Sequence, residues 1–439
     1  MAPKSIRFGT HNLHFCHSEP KAKGVAPFYI NLAPKPGAVP LAVLISPRWG
    51  LPRAVLAPKP LDDKNPMKDN IFVQKLRLQN FLSYGPQGEE IELQPLNVLI
   101  GPNGSGKSNL IEAFGILKAI PTDLRVPIRK GGGVNEFLWK GKEEVPIAKI
   151  EAFLNDSEQS KILNYQLGFT SVNQRLEIVK EIIGHVEIKK EYRIFPDQSV
   201  IAKGINPKAG VPEFLISQNF FYLKNNFSDI GLYRHGHLGQ GSALRKPQHT
   251  DLPEHPLEEE GSNFGLVLND LQYKLRSQQV LEQFQKFYEE AEELSIKIYG
   301  GTVQIFIREK GLSSPIPAPR LSDGTLHYLF LMALLLDPNP PPLLCIEEPE
   351  ICLHPEILPT LAEMLVDASQ RTQLIVTTHS DGLVSALSEY PDVILVCERD
   401  DEGSYLHRLE SRELKKGLGK YSLGELWLMG ELGGITPPT

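Results

Sequence analysis

Hydrophobic and polar positions change rhythm several times along the chain, and the changes divide it. From Met67 onward, IFVQKLRLQNF alternates apolar and polar residues as a half-buried strand does. IELQPLNVLI then reads as one apolar strand ending at Ile100, and NLIEAFGILKAI has helical apolar spacing. Residues 145–203 alternate in short runs (IAKIEAFL, YQLGF, RLEIVKEII, EIKKEYRIF), which predicts an antiparallel β subdomain built from hairpins. Residues 204–260 are rich in Gly, Pro, His and Asn and read as a loop-rich connector, while residues 261–298 carry a helical pattern, so that 204–305 is expected to be an insertion. The last third, 306–439, predicts alternation: a helix after Ser322, the strand PLLCI, a helix after His354, the strand QLIVTT, a helix after Ser380 and the strand DVILV. Such alternation predicts an α/β fold with a central, mostly parallel sheet covered by helices. The final stretch, KYSLGELWLMGELGGITPPT, ends in turn formers and is expected to fray.

Residues 1–66 follow no such rhythm. They hold 11 of the 36 prolines and nine Lys+Arg against three Asp+Glu, so they read as a flexible basic extension preceding a domain at 67–439. Two origins stay open for it: a basic arm, or an upstream start placed before a natural one at Met67. The net charge of −7 leaves −13 on the remainder, so nucleic acid would have to be met by a local basic face rather than by the overall field. Hydrophobic residues at 41% and charged residues at 23% exclude collagen-like, wholly disordered and coiled-coil-dominated chains. Four scattered cysteines without a CxxC pair exclude a disulfide framework and a cysteine zinc site, and point to a reducing, cytoplasmic compartment. No apolar run approaches the roughly 20 residues that span a bilayer, so no membrane partner is expected.

The candidate chemistry lies in four segments. Gly101-Pro-Asn103-Gly104-Ser105-Gly106-Lys107-Ser108 fits GxxxxGK[ST] and stands between an apolar strand and a helix, the setting the motif requires. Its glycines let backbone amides wrap phosphate oxygens; Lys107 would reach the β- and γ-phosphates of ATP, Ser108 would hold Mg²⁺, and Asn109 follows in the helix. After the strand PLLCI come Glu347, Glu348, Pro349 and Glu350. This is either an acidic turn capping the next helix or, beside a P-loop, a metal-side acid at Glu347 and a general base or water-orienting group at Glu348. In Arg320-Leu-Ser-Asp-Gly-Thr325, Ser322 is a natural N-cap, and the helix start is also an anion site. His379, in QLIVTTHS, falls just past a core strand, where a structural histidine and a ligand contact are both plausible.

The order GPNGSGKS, LSDGT, EEPExxLHP and TTHS, opened by KLRLQNFLSYG, resembles the ABC-type ATPases of DNA maintenance and defence, the RecF, SMC and OLD group, in its compact AAA-21-like branch. The region EEEGSNFGLVLNDLQ is similar to stand-alone RecF-like or Septu-type (PtuA-like) ATPases. The resemblance covers about Phe72 to Val396. It implies an ATP-hydrolysing P-loop head working as a head-to-tail homodimer, in which Ser322 and Gly324 of one copy contact the γ-phosphate held by the other. It also implies that His379 senses the γ-phosphate, that Gln218 is the Q-loop glutamine near Mg²⁺, and that His354 stands at the D-loop position. Departures are expected to matter: Glu347 for aspartate suggests slow hydrolysis, and Asp323 with Thr325 speaks against a transporter subunit. About 215 positions separate Lys107 from Ser322, too few for paired SMC arms. No metal-dependent nuclease segment follows His379, so cleavage would need a separate nuclease subunit. Arg125, Arg129, Lys130, Lys189, Lys190 and Arg193 are the candidates for DNA contact, against the ordinary reading of a solvated face. The expected role is ATP-driven dimerisation controlling a DNA-repair or phage-defence complex; the alternative is a nucleotide-dependent scaffold with little hydrolysis.

Overall fold

The structure is a computed structural model of the 439-residue chain. It describes residues 71–434 except 142–145, 157–160, 185, 188–196, 204–217, 235–237 and 411–419, together with two short paired strands, β1 (Arg7–Phe8) and β2 (His11–Asn12). Residues 1–61 form a unit of their own, apart from 62–439. Apart from the β1–β2 pair, the expected basic extension lies outside the described residues.

In the larger unit, β3 (Val73–Gln79) buries Leu76 and Leu78 and exposes Arg77, as its alternation demands. The run read as one strand ending at Ile100 is in fact two, β4 (Glu89–Glu92) and β5 (Leu96–Ile100), which belong to different sheets. Pro95 has no N–H for a ladder, and the chain turns there on paired hydrogen bonds between Asn97 and the Gln94 backbone. After α1 (Lys107–Ala119), α2 (Arg125–Lys130) and α3 (Val134–Phe137) come β6 (Ala148–Asp156), β7 (Lys161–Val172), β8 (Arg175–Ile183) and β9 (Val186–Glu187). These strands and β3–β4 form one antiparallel sheet in the order β4-β3-β6-β7-β8-β9. The expected β subdomain is therefore wider than residues 145–203.

α4 (Val200–Lys203) falls just before the segment read as connector, which contains α5 (Gln218–Ser228), β10 (Gly231–Tyr233) and β11 (Gln248–His249). The three residues of β10 are too few to show periodicity, yet they form the edge of the central sheet. The helical reading of 261–298 holds for α6 (Phe264–Leu275) and α7 (Ser277–Gln285) and fails afterwards. There β12 (Ala291–Tyr299) turns at Gly300-Gly301, both at positive φ, into β13 (Thr302–Glu309), which also pairs with β14 (Ile316–Pro317). A Gly-Gly pair between alternating runs is a hairpin signal that outweighs the helical propensity of AEEL.

The last third alternates as expected: α8 (Asp323–Leu335), β15 (Leu343–Glu347), α9 (Leu358–Ala368), β16 (Gln373–Thr377), α10 (Asp381–Ala386), β17 (Ile394–Asp400), β18 (Gly403–Arg408) and α11 (Leu423–Leu428). Within 420–434 the expected fraying is corrected by α11, which has a Ser422–Glu425 capping box, buries Leu423, Leu426 and Trp427, and is followed by a bond from Gly434 N–H to Glu398; residues 435–439 lie outside the described residues. The central sheet runs β10-β15-β16-β5-β17-β18, parallel except for β18.

All five residues of β5 and of β16 are buried, because both faces of this sheet are covered. Leu99, Leu343, Cys345, Ile375 and Leu395 pack with α1 and the antiparallel sheet. Val98, Ile100, Leu344, Ile346 and Val376 pack with α8, α9 and α10 on the other face. α8 is buried continuously from Thr325 to Leu335, which its all-round apolar sequence requires. The layering brings the carboxyl ends of β5, β15, β16 and β10 to one edge, where ligands gather in parallel α/β sheets.

Candidate nucleotide-binding site

The loop between β5 and α1 is built by close approach. A Cβ on Gly101 (φ +141°) would lie 2.1 Å from the Cys397 carbonyl oxygen, and one on Gly106 (φ +114°) would lie 2.4 Å from Ser404 Oγ and 2.8 Å from Ser83 Oγ. Glycine is required at both for packing as well as for φ. Behind the loop, Ser404 Oγ donates to Ser83 Oγ (2.7 Å), Asn109 Nδ2 donates to the same oxygen (2.7 Å) and Tyr84 OH donates to the Gly106 carbonyl (3.2 Å). Asn109 thus serves the frame of the loop. In front, Asn103, Gly104 and Ser108 are exposed. Lys107 is buried and donates from Nζ to the Gly101 and Pro102 carbonyls at 2.8 and 3.0 Å. Burial lowers its pKa, opposed by Cys397 and Glu348.

On the neighbouring strands, β15 ends at Glu347, and Glu348 takes φ +45° with its N–H bonded to the Thr377 carbonyl at 2.9 Å. A glutamate in the left-handed region is held there by its surroundings, and such strain collects at functional sites. His379 Nε2 is 3.7 Å from Glu348 Oε1. Its pKa is lowered, first by burial and then by Lys107, against the pull of Glu348 and Glu350, so the imidazole is neutral near pH 7. Glu350 Oε1 accepts from Thr378 Oγ1 (2.7 Å) and from His379 N–H (3.0 Å), tying the acidic turn to the histidine loop. Arg234, the residue after β10, places Nε 3.2 Å from Glu347 Oε1 and Nη2 2.8 Å from Glu112 Oε1 on α1. Lys107, Ser108, Glu347, Glu348 and His379 therefore share one end of the sheet.

Ser322 and Gly324 make their contacts elsewhere. Ser322 Oγ caps α8 by accepting from Thr325 N–H at 3.0 Å, and a Cβ on Gly324 would lie 2.5 Å from the Cys352 carbonyl oxygen. Asp323 accepts from Arg245 Nη2 (2.6 Å) and from Gly239 N–H (3.2 Å), and Arg245 Nη1 donates to the Leu321 carbonyl (2.6 Å). His327 Nε2 meets the Pro349 carbonyl at 2.9 Å, linking α8 to the acidic turn. His354 is exposed and caps a short turn before α9. Gln218 opens α5, and its side chain lies outside the described residues, as do Lys189, Lys190 and Arg193. Arg125 is paired with Asp123 and Asp197, while Arg129 and Lys130 are exposed.

Sequence reasoning missed Arg234, which follows the three-residue β10, and Arg245, which ends the three-residue 3-10 helix Ala243–Arg245; both elements are too short to announce themselves. It also left Glu350 without a role, although Glu350 stood in the acidic cluster.

The residues suit a magnesium polyphosphate. Ser105 Oγ is buried without a hydrogen-bond partner, the exposed loop offers amides beside the Lys107 ammonium, and Ser108 with Glu347 offers hard oxygen donors. Among the described residues no group of three or more His, Cys, Asp or Glu forms a metal cage, so a divalent ion here would complete its shell from phosphate and water. No described helix is long and apolar enough to cross a membrane.

Comparison with known proteins agrees with this geometry. Residues 234–385 match the family described as "AAA domain, putative AbiEii toxin, Type IV TA system", and residues 75–119 match a second family described as "AAA domain". The DNA double-strand break repair Rad50 ATPase of Sulfolobus acidocaldarius is 28% identical over 154 residues, which is 30% of this chain and 16% of that protein. The chain thus covers about one-sixth of that relative's length. Among solved structures, the Smc head bound to the C-terminal winged-helix domain of ScpA aligns over 79% of this chain and 99% of its own, with a TM-score of 0.53 and 15% identity. The motif order and the matched segments make this chain similar to the ABC-type P-loop ATPases of the RecF/SMC group.

Proposed function

We propose that the protein binds ATP with Mg²⁺ on the loop around Lys107, hydrolyses it, and uses nucleotide-dependent head-to-tail pairing of two copies to drive or gate a DNA-maintenance or defence complex. The observation that carries this reading is the meeting of Lys107, Ser108, Glu347, Glu348 and His379 at one end of the sheet, while Ser322, which is exposed, and Gly324 lie at the start of α8, where a second copy would meet them. Lys107 and the loop amides would bind the β- and γ-phosphates; Ser108 and Glu347 would hold Mg²⁺, which neutralises phosphate charge when bound. Glu348 would orient the attacking water and take its proton, and neutral His379 would present Nε2 to the terminal phosphate. Asp323 stands at the first turn of the helix meant for the partner's phosphate, and Arg245 offsets its charge. Exposed Arg129 and Lys130 are the described candidates for nucleic-acid contact.

A scaffold with slow turnover is the second reading, favoured by one observation: Glu347 replaces aspartate and is engaged by Arg234. Two variants test the main reading. Lys107→Ala should abolish binding of a fluorescent ATP analogue, and Glu348→Gln should keep binding, lose phosphate release by at least about 100-fold, and accumulate a dimer in light scattering. Wild-type turnover in Glu348→Gln would remove its catalytic assignment; ATP-dependent pairing with negligible turnover in the wild type would select the scaffold.

A further inference from the structure

Arg234 follows β10, the edge strand of the central sheet, and lies at the carboxyl end of β15. The parallel register Tyr233↔Ile346 sets the next residue of β10 beside Glu347. Its guanidinium then reaches two carboxylates at once, Glu347 at 3.2 Å and Glu112 at 2.8 Å. Glu112 is four residues beyond Ser108, one turn along the same face of α1. One cation thus bridges two acids next to the hydroxyl that would face the metal. A planar fork with donors in two directions makes this bridge, which a lysine ammonium on a flexible stem would make less well. The extra methylene of glutamate over aspartate at 347 gives its carboxylate the reach to meet it. A divalent ion drawing on Glu347 must compete with Arg234 for the same oxygen and also meets its like charge at short range.

We infer that Arg234 is a positioning residue that holds Glu347 in the nucleotide-free protein and yields it when a divalent cation arrives with nucleotide, so that Arg234 sets how much Mg²⁺ the site requires. The inference rests on the nucleotide-binding reading above. Glu112 has a defined part in it: by holding one arm of the guanidinium, it weakens the grip on Glu347. Removing Arg234 and removing Glu112 must therefore move the metal requirement in opposite directions.

The test uses the full chain, a fluorescent ATP analogue at fixed concentration, and Mg²⁺ titrated at constant ionic strength, with thermal melts to verify folding. Arg234→Gln should lower the half-saturating Mg²⁺ by about three- to tenfold, Arg234→Lys should shift it less, and Glu112→Gln should raise it by about two- to threefold. A purely structural Arg234 would alter the melting temperature and leave these midpoints in place. Unmoved midpoints in Arg234→Gln, or a shift of the same sign in Arg234→Gln and Glu112→Gln, would overturn the inference while leaving nucleotide binding intact. Should Arg234→Gln fail to fold, the sign of the Glu112→Gln shift decides alone. A wild type that binds no nucleotide at any Mg²⁺ concentration would remove the underlying reading, and this inference with it.

Discussion

The P-loop half and the signature half of the molecule are held by opposite means. Around Gly101 and Gly106 the frame is neutral and close-packed: Ser83, Ser404, Tyr84 and Asn109 hydrogen-bond behind the loop, and the backbone of Cys397 leaves no room for a side chain at Gly101. Around Ser322 the frame is ionic and nearer the surface: the Arg245 side chain is 12% exposed, whereas Asp323, its partner, is 42% exposed. A site for a polyanion needs its amides aimed before the ligand arrives, and neutral packing supplies that at any ionic strength. A surface proposed to meet a second copy can be oriented by charges, whose strength falls with salt. Rigidity is thus built into the first region and left adjustable in the second.

Crowding the packed half should have the largest effect. Gly101→Ala would set a Cβ 2.1 Å from the Cys397 carbonyl oxygen at a φ of +141°, where neither the backbone nor a flexible side-chain tip can give way cheaply. Overpacking and left-handed strain together should destabilise the fold by about 2–4 kcal/mol in urea unfolding. Gly104→Ala has open space around its Cβ and only φ to contend with, and should cost about 1–2 kcal/mol. Equal losses in the two variants would show that close approach is not what holds this half.

Cutting the ionic half should cost less. Arg245→Ala strands Asp323 and frees the Leu321 carbonyl; with Asp323 partly in water, the loss of stability should be about 1 kcal/mol. Paired with Asp323→Ala in a double-mutant cycle, the interaction energy should shrink between 0.05 and 0.5 M salt, on the order expected for screened pairs. Nucleotide-induced pairing should weaken in Arg245→Ala and recover in the double variant, since the uncompensated carboxylate beside the helix start is then gone. An interaction energy insensitive to salt would show that charge does not hold this half.

What the amino-acid pattern revealed follows the same division. The strands of the packed half declare themselves because burial on both faces forces short apolar runs such as 98–100 and 374–376. The glycine-rich loop does so because phosphate wrapping admits few residue types. The β12 strand was hidden by the helix-forming letters of AEEL, and only the Gly300-Gly301 turn argues for it. Arg234 and Arg245 were illegible for a different reason: an ion pair depends on which distant residues the fold brings together, and Arg234 finds Glu112 and Glu347 across 122 and 113 positions of chain. Tertiary ionic contacts leave no periodic trace.

Acid separates the two halves by window, with the same sign in each. His379, at the rim of the packed half, has its pKa lowered from 6.5 by burial and by Lys107. As pH falls through 6.5 the unfolded chain takes up the proton before the folded chain does, so stability from this group is present above 6.5 and is lost below it. Asp323 has its pKa lowered from 3.8, chiefly by its hydrogen bond to Arg245, so its contribution persists to pH 3.8 and disappears only beneath that. Between pH 7 and 5, unfolding experiments should therefore register a small loss that His379→Gln abolishes and Asp323→Asn leaves untouched. The cause can be sharpened by NMR: Lys107→Met removes the second of the two depressing influences, so the His379 resonance should titrate at a higher pH than in the wild type. An unmoved titration would show that burial alone sets the histidine, and that the charge of Lys107 does not reach it.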